Sequence, residues 1–324
     1  MIRILQILIT SLIFLGCKDS PKRTITSEKE TDTITDSNDI AVGKGPDALF
    51  LTPNNDYVYV ANVEDTLVSV VDVNSDSVIT TIKNLKYPWG FTRLLESNNV
   101  AVSNYGGTIA IIDYRTHSIV RSKDYKTPLG GISSTNDGKS IFVVAIDKDE
   151  VYEIDAESLK ISRRYNTGKG PDGIGVSKDN SKIYVTNTAD GTISIIDRKS
   201  GKDRTIKKGG KPELIHKGKN GKTLLISNFK KDEAYILNTT NDSITHTFKN
   251  LKGPEEVVQS LDGKTYYIVN FKNSKVYAFD AESHQKLQKE YKVGKSPIGF
   301  IQIDKNKAYV SNYADNNLTV LNLK

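Results

Sequence analysis

Short runs of alternating apolar and polar residues follow one another along most of the chain. Residues 192–195, for example, are Thr-Ile-Ser-Ile, and side chains at every second position share one face of a β-strand. Turn-forming pairs such as Asp137-Gly138 and Asn220-Gly221 separate the runs and are typical of tight connections between antiparallel strands. No convincing amphipathic helix interrupts the pattern, so the sequence predicts an all-β fold.

Three sets of residues recur along the chain at a nearly constant spacing. The first set is seven prolines, separated by 42, 40, 43, 41, 42 and 43 residues: Pro46, Pro88, Pro128, Pro171, Pro212, Pro254 and Pro297. The second is a set of asparagines that end apolar runs: Asn62, Asn104, Asn187, Asn228, Asn270 and Asn312. The third closes the following run: Asp72, Asp113, Asp155, Asp197, Asn238, Asp280 and Asn322. Agreement of three sets over seven units indicates an internal repeat.

Each repeat predicts four strands, one on either side of the asparagine turn, one after the proline and one before the next proline. A lone four-stranded sheet exposes both faces, whereas seven sheets packed around an axis bury them. We therefore predict a seven-bladed β-propeller of four-stranded antiparallel blades over residues 39–324. The seventh repeat ends at Lys324 after three strands, so we expect residues 39–43 to supply the outer strand of the last blade.

The repeats resemble the YVTN family of β-propeller repeats, whose namesake tetrapeptide stands at Tyr184-Val185-Thr186-Asn187. The third repeat departs from this pattern, since residues 142–145 are Phe-Val-Val-Ala. The resemblance implies seven blades and an exported or cell-surface setting. The repeats are also similar to those of seven-bladed lactonases and of the haem domain of certain nitrite reductases.

The N-terminus carries an export pattern rather than a membrane span. Residues 1–16 contain Arg3 and an apolar stretch shorter than the roughly twenty residues that cross a bilayer. Cys17, the only cysteine, directly follows this stretch and resembles the lipidated cysteine of a bacterial lipobox. We predict a lipoprotein signal peptide at 1–16, a lipid on Cys17 and a polar tether over 17–38. An ordinary signal peptide that contains a cysteine is the alternative.

Charge and histidine positions argue against several classes of chemistry. The net charge of +6 comes from scattered lysines and does not indicate a nucleic-acid partner. The four histidines occupy different places in different repeats, and we interpret them as surface or strand residues: His117, His216, His246 and His284. Residues 168–173 match G-x-G-x-x-G but precede a strand, whereas dinucleotide binding needs a helix. We predict no cofactor, metal or catalytic residue.

A rim of lysines precedes the prolines in six of the seven repeats. These residues are Lys44, Lys86, Lys126, Lys169, Lys252 and Lys295, with Lys211 near the exception. In a propeller they would form a ring of positive charge able to attract anionic groups. The alternative is a solubilising turn copied with each repeat.

The residues after the prolines vary from repeat to repeat. They are Asp47, Trp89, Leu129, Asp172, Glu213, Glu255 and Ile298. We expect them near the mouth of the central channel, with three carboxylates facing an apolar arc of Trp89 and Leu129. Aromatic residues follow four of the asparagines and should share that face: Tyr105, Phe229, Phe271 and Tyr313. Carboxylates beside aromatic rings suit a cationic or amphipathic ligand, whereas an ordinary solvated rim is the alternative.

These features predict a lipid-anchored protein of the bacterial cell envelope, at the outer rather than the inner membrane. The propeller would serve as a binding scaffold for a protein, a glycan or a small ligand rather than as an enzyme. The alternative is a lactonase-like hydrolase of the periplasm or surface that uses Asp172, Glu213 and Glu255. A subunit of an envelope assembly is a third interpretation.

Overall fold

The computed structural model describes residues 39–94 and 98–324. The predicted signal peptide, Cys17 and the whole tether lie outside these residues, so the predictions for them stand as predictions. No helix in the described part of the chain is long and apolar enough to cross a membrane.

Within residues 39–94 and 98–324, twenty-eight strands, β1 to β28, form seven four-stranded antiparallel sheets, which confirms the predicted propeller. Blade 1 consists of β2 (Pro46–Leu51), β3 (Tyr57–Asn62), β4 (Val68–Asp72) and β5 (Ser77–Ile82). Blade 2 consists of β6 (Pro88–Arg93), β7 (Asn99–Asn104), β8 (Thr108–Asp113) and β9 (Ser118–Asp124). Blade 3 consists of β10 (Leu129–Ser134), β11 (Ser140–Ala145), β12 (Glu150–Asp155) and β13 (Ile161–Asn166). Blade 4 consists of β14 (Pro171–Val176), β15 (Lys182–Asn187), β16 (Thr192–Asp197) and β17 (Asp203–Lys207). Blade 5 consists of β18 (Pro212–Lys217), β19 (Thr223–Asn228), β20 (Glu233–Asn238) and β21 (Ser243–Phe248). Blade 6 consists of β22 (Pro254–Gln259), β23 (Thr265–Asn270), β24 (Lys275–Asp280) and β25 (Lys286–Lys292). Blade 7 consists of β26 (Pro297–Gln302), β27 (Lys307–Asn312), β28 (Asn317–Asn322) and β1 (Ile40–Ala41).

The ring closes as predicted, through the N-terminal strand. β1 pairs antiparallel with β28, so that Ile40 lies opposite Leu318 and Ala41 opposite Asn317. The last blade thus combines residues from both ends of the described chain, and its completion depends on a contact of very long sequence separation.

The hydrophobic core lies between blades rather than within them. One cluster packs Ala101 and Ile111 of blade 2 against Val143 and Tyr152 of blade 3, and another packs Val60 of blade 1 against Tyr309 of blade 7. Burying one aliphatic side chain contributes about 1.5–3 kcal/mol. Each blade therefore depends on both neighbours for stability.

The tyrosine that begins the YVTN tetrapeptide fastens one blade to the next at the outer part of the interface. The Tyr184 hydroxyl donates to a carboxylate oxygen of Asp242 at 2.5 Å, and Tyr59 shares a 2.8 Å hydrogen bond with Nδ1 of His117. Across the ring closure, Tyr309 donates to Asp76. Each partner of the tyrosine, His117, Asp242 or Asp76, lies in the turn between the third and fourth strands of the next blade and has a positive φ. The same contact therefore recurs at three interfaces.

The hydroxyl of the third tetrapeptide residue joins adjacent blades close to the axis. Thr186 accepts from the Gly173 backbone N–H at 2.8 Å and donates to the carbonyl of Glu213 in the next blade. Gly173 itself approaches that carbonyl so closely that a Cβ would lie 2.2 Å from it. Ser311 repeats the arrangement at the closure, where it donates to the Asp47 carbonyl at 2.7 Å.

The asparagine that ends the tetrapeptide is buried in all six blades that carry it. Its amide holds the turn before the innermost strand: Asn270 accepts from the Lys252 backbone N–H at 2.8 Å and donates to the Ile268 carbonyl at 2.9 Å. The predicted turn role of this residue is therefore confirmed for Asn270.

Blade 3 pairs one residue later than the proline spacing suggests. Leu129 lies opposite Ala145, whereas Pro171 of blade 4 lies opposite Asn187. Leu129 thus occupies the proline position and is fully buried in the core between blades 2 and 3. The prediction that Leu129 lines the channel mouth is wrong, because Pro128 belongs to the preceding turn.

Replacing Tyr309 by Phe should weaken the closure of the ring, because Asp76 would then keep only its 2.8 Å contact with Lys307. We expect the free energy of unfolding of the full chain to fall by about 1–3 kcal/mol in urea titrations. Tyr87, which is exposed, provides the control: Tyr87→Phe should change that free energy by less than about 0.5 kcal/mol. Equal losses in the two variants would contradict the proposed contact.

Candidate functional site

The blades present two ends, and we call the end where the innermost strands begin the proline face. The four predicted aromatic residues lie here, in the hairpins between second and third strands. Their position is fixed by the backbone, since the N–H of each bonds to a carbonyl in the turn before the innermost strand. The pairs are Tyr105 with Tyr87, Phe229 with Lys211, Phe271 with Gly253, and Tyr313 with Ser296.

The aromatic residues of the proline face form two separate pairs instead of one continuous surface. The ring of Trp89 lies 5.8 Å from that of Tyr105 in a tilted arrangement. The ring of Phe229 lies 5.7 Å from that of Phe271, edge to face. Tyr313 instead donates its hydroxyl to the Glu64 carboxylate of blade 1.

Carboxylates after the prolines are buried rather than solvated. Asp47, Asp172, Glu213 and Glu255 are each at least nine-tenths buried, and Glu213 is completely so. Because a buried carboxylate loses its hydration, it requires nearby positive charge or hydrogen-bond donors. The ring of blades therefore gathers four buried carboxyl groups at the base of the proline face.

Lys211 shows how this face accommodates a cation. Its ammonium contacts a carboxylate oxygen of Glu213 and lies 5.6 Å from the centre of the Phe229 ring. Lys272 approaches the same ring at 4.9 Å. Lys211 is buried, so blade 5 places an ammonium group between a carboxylate and an aromatic face, where attraction is strengthened by the low exposure to water.

The six rim lysines are all exposed, as a ring of charge requires. Three of them meet carboxylates: the Lys126 ammonium lies 2.7 Å from Asp124, that of Lys86 lies 3.9 Å from Asp124, and that of Lys169 lies 2.7 Å from Asp149. These partners offset part of the positive charge. Because water screens exposed pairs of this kind, they contribute little to stability.

A cavity of about 120 Å³ occupies the central channel and is lined by residues from all seven blades. The innermost strands crowd here, and a glycine stands two places after the proline position in four blades: Gly90, Gly131, Gly173 and Gly299. Blades 5 and 6 carry Leu214 and Glu256 instead. Blade 1 carries Ala48, so the two large side chains at this position enter the channel from the adjacent blades 5 and 6.

Glu256 forms an ion pair with His216 inside the channel. His216 Nε2 lies 2.7 Å from Glu256 Oε1, and the other carboxylate oxygen accepts the backbone N–H of Phe300 in blade 7. Burial lowers the pKa of His216, but the Glu256 charge and hydrogen bond outweigh this, so the pKa is raised. The His216 side chain is nevertheless 38% exposed, because it borders the open cavity.

Sequence reasoning missed this pair, since His216 was interpreted as an ordinary surface or strand residue. The available signal was the break in the glycine pattern at Glu256, two residues after Pro254. Spacing could not reveal the partner, because His216 and Glu256 lie in different blades and meet only when the ring closes around the axis.

The other histidines contribute to blade contacts. His117 bonds to Tyr59, and the rings of His246 and His284 stack with centroids 4.1 Å apart. Among the described residues, no three His, Cys, Asp or Glu side chains are arranged to hold a metal ion. The predictions of no metal and no cofactor remain predictions.

The His216–Glu256 pair makes the stability of the fold depend on pH. A raised pKa in the folded state adds stability below the unfolded pKa of His, and that stability is lost as pH rises through the folded value. In Glu256→Gln the attracting charge is gone, so the midpoint of the His216 ring resonance should shift to lower pH in NMR titrations. Glu282→Gln, at an exposed turn, should leave it unchanged. An unaltered midpoint in Glu256→Gln would contradict the pairing.

Solved structures with the same architecture support the fold alone. The chain superposes with a TM-score of 0.76 on a chain of Kuenenia stuttgartiensis hydrazine synthase, at 17% identity, covering 92% of this chain and 99% of that one. It also matches the Cps50 (Swd1) β-propeller domain of Myceliophteria thermophila with a TM-score of 0.76 at 12% identity, covering 89% and 99% respectively. No curated protein matches the chain.

A family profile gives the more specific result. Residues 17–308 match the profile described as YNCE-like beta-propeller, whereas the resemblance to YVTN repeats remains a prediction. This match spans most of the sequence, and the chain belongs to the YNCE-like β-propeller family.

Proposed function

We propose that this protein is a lipid-anchored binding scaffold whose proline face receives a positively charged or amphipathic group of a ligand or partner protein. The observation that carries the proposal is the environment of Lys211. Its buried ammonium contacts Glu213 and faces Phe229, which is the arrangement that a ligand cation would adopt on this face.

Positions that vary between blades support this assignment. The hydroxyl, glycine and asparagine contacts recur around the ring and hold the blades together, so they carry no ligand preference. Asp172, Glu213 and Glu255 vary instead, and they place carboxyl groups in a buried setting that costs stability unless it is compensated. Such a cost is expected where binding residues have been kept.

Aromatic pairs complete the surface beside these carboxylates. Trp89 and Tyr105 lie at blade 2, and Phe229 and Phe271 lie at blades 5 and 6. Rigid rings supply apolar contact at little entropic cost, while the carboxylates supply charge. The combination suits an alkylammonium group or a lysine-rich segment.

The N-terminus supplies the location in this proposal. A signal peptide over residues 1–16 exports the chain, the lipid on Cys17 binds the membrane, and the polar residues up to 38 hold the propeller away from the headgroups. As a flexible coil, twenty residues span about 25 Å. The outer membrane is the proposed site.

A hydrolase remains the second candidate because of one observation, the His216–Glu256 pair in the channel. A carboxylate that orients a histidine is a common acid–base arrangement. Of the three carboxylates first considered, Glu213 is engaged by Lys211, so this candidate function now depends on His216. It requires a turnover that is lost in His216→Gln, whereas a binding scaffold has none.

The sole tryptophan provides a reporter for the proposed binding. Trp89 lines the channel, and no other residue contributes indole fluorescence. Titration of the full-length protein with spermidine or a lysine-rich peptide should change Trp89 emission saturably. Glu255→Gln should raise the apparent dissociation constant about tenfold, since it removes one charge from the site.

Glu282→Gln is the matched control because this exposed carboxylate lies in the turn after β24, at the opposite end of the blades. It should bind like the wild type. Absence of a saturable response to either probe, or equal affinity of Glu255→Gln and wild type, would contradict binding at the proline face. Urea unfolding of each variant checks that its fold is intact.

Anchoring requires a separate test. Cells that express the full chain should incorporate an alkyne-tagged palmitate into the protein, and the Cys17→Ser variant should not incorporate it. The wild-type protein should also remain with the membranes after carbonate washing, because lipid chains bind the bilayer through apolar contact. Labelling that is unchanged in Cys17→Ser, or a wild-type protein without label, would contradict the anchor.

A further inference from the structure

The interface between blades 3 and 4 breaks the repeat at three positions. Phe142 stands where Tyr59, Tyr184 and Tyr309 carry the fastening hydroxyl, and Gly201 stands where Asp76, His117 and Asp242 provide its partner. The third break is Glu153, whose position in the other blades is aliphatic: Val70, Ile111, Ile195, Ile236, Ala278 and Val320. Ala101 and Leu225 also lack a hydroxyl at the tyrosine position, so the interface between blades 3 and 4 is set apart by the combination of Gly201 and Glu153.

These replacements leave an open cleft. Without a turn side chain at Gly201 and a hydroxyl at Phe142, the outer part of the interface encloses about 570 Å³. Tyr165, Arg163, Arg198 and Lys199 line the cleft together with the hydroxyls of Ser162 and Ser181. Its volume lies within the range of about 300–1,000 Å³ that is common for ligand sites.

Glu153 and Arg198 form the floor of the cleft. Arg198 donates to Glu153 Oε1 through Nη2 at 2.6 Å and Nε at 3.2 Å, and the Tyr165 hydroxyl donates to Oε2 at 2.6 Å. Burial raises the pKa of Glu153, but Arg198 and Tyr165 outweigh it and hold the pKa below its usual value. The carboxylate therefore remains charged and balances Arg198.

Arg163 is held above this pair. Its Nη1 donates to the carbonyls of Arg198 at 2.6 Å and Lys199 at 2.8 Å, and its guanidinium lies 4.9 Å from the Tyr165 ring centre. Among the described residues no acceptor is recorded for its other nitrogens. Asp197, the remaining carboxylate of the lining, accepts from Ser200 within its own turn. Arg163 and Lys199 thus provide positive charge that no carboxylate of the lining pairs with directly.

The equivalent arginine in blade 4 shows what the cleft lacks. Arg204 occupies the same place in its blade and forms a 2.7 Å ion pair with Asp242, the residue that corresponds to Gly201. Arg121 of blade 2 also reaches the next turn, where it donates to the Glu157 carbonyl. Of these three arginines, only Arg163 of blade 3 lies beside a turn that carries a glycine, Gly201. Its guanidinium therefore borders the open cleft.

We propose that this cleft binds an oxyanion, a phosphate or a carboxylate, carried by a polar ligand of monosaccharide size. Arg163 and Lys199 neutralise the anion, and the guanidinium of Arg163 is preorganised by its two carbonyl contacts and by the Tyr165 ring. The Ser162 hydroxyl donates to the Glu153 carbonyl and the Ser181 hydroxyl donates to Asp179, so both oxygens serve as acceptors for hydroxyl groups of the ligand. The site lies at the end of the blades opposite the proline face and is independent of the function proposed there.

Calorimetric titration of the full-length protein tests this site. Glucose 6-phosphate and glucuronate carry the two forms of oxyanion, and glucose is the neutral control. We expect saturable binding of at least one anion, no binding of glucose, and affinity that weakens with added salt. The anion that binds with the higher affinity shows whether the cleft prefers a phosphate or a carboxylate.

Variants locate the binding. Arg163→Gln should weaken the anion about ten- to hundredfold, as loss of a charged donor does, and Lys199→Gln, at an exposed side chain, should weaken it about threefold without disturbing packing. Gly201→Asp should abolish binding, because it supplies the internal carboxylate that Arg204 has. Arg121→Gln, the matched control in blade 2, should bind like the wild type.

Failure of both anions to bind would overturn the proposal, as would wild-type affinity in both Arg163→Gln and Lys199→Gln. Equal weakening by Arg121→Gln would also overturn it, because the effect would then be general to the fold. Binding at the proline face, reported by Trp89, should be unchanged in all these variants, so the two proposals succeed or fail separately.

Discussion

The close approach of innermost strands around the axis is the constraint on which the rest of the structure depends. Gly173 lies against the Glu213 carbonyl, and the Thr186 hydroxyl bonds to both strands. This contact allows seven sheets to converge on a narrow channel while their outer parts pack through apolar side chains. The last interface, between Ser311 and Asp47, joins distant parts of the sequence, as does the pairing of β1 with β28. A cooperative ring is the consequence.

Much of this scaffold could be predicted because the same residue types recur at the same strand ends in nearly every repeat. Prolines, asparagines and closing aspartates revealed the number of blades, and the incomplete seventh repeat revealed the closing strand. The site was less accessible to sequence reasoning. Glu213 was predicted at the mouth, but its burial and its contact with Lys211 depend on neighbouring blades. His216 and Glu256 meet across an interface that spacing does not describe, and the altered pairing of Leu129 followed from hydrogen bonding rather than from proline position.

Residues that depart from the repeat give individual blades a chemistry that the other blades do not share. Buried carboxylates distinguish the proline face, Glu256 and His216 distinguish the channel, and Glu153 with Gly201 distinguishes one interface. None of these groups is required to form a blade, because other blades carry residues of a different type at the same positions. The scaffold supplies rigidity, and the exceptions supply preference for a ligand, which agrees with the general separation of fold from function.

We infer that residues such as Glu153 and Arg198 are kept for binding and not for stability. The most direct test replaces them by the residue types of other blades and measures the free energy of unfolding. The double variant E153I/R198L replaces the ion pair by residue types found at the same positions of other blades, Ile195 and Leu323, and retains apolar volume at both. Replacing a buried ion pair by well-packed apolar residues is often neutral or stabilising by about 1–4 kcal/mol. The account predicts that the free energy of unfolding in urea equals or exceeds that of the wild type. A loss of about 3 kcal/mol or more would show that the pair holds the blades together and would contradict the account.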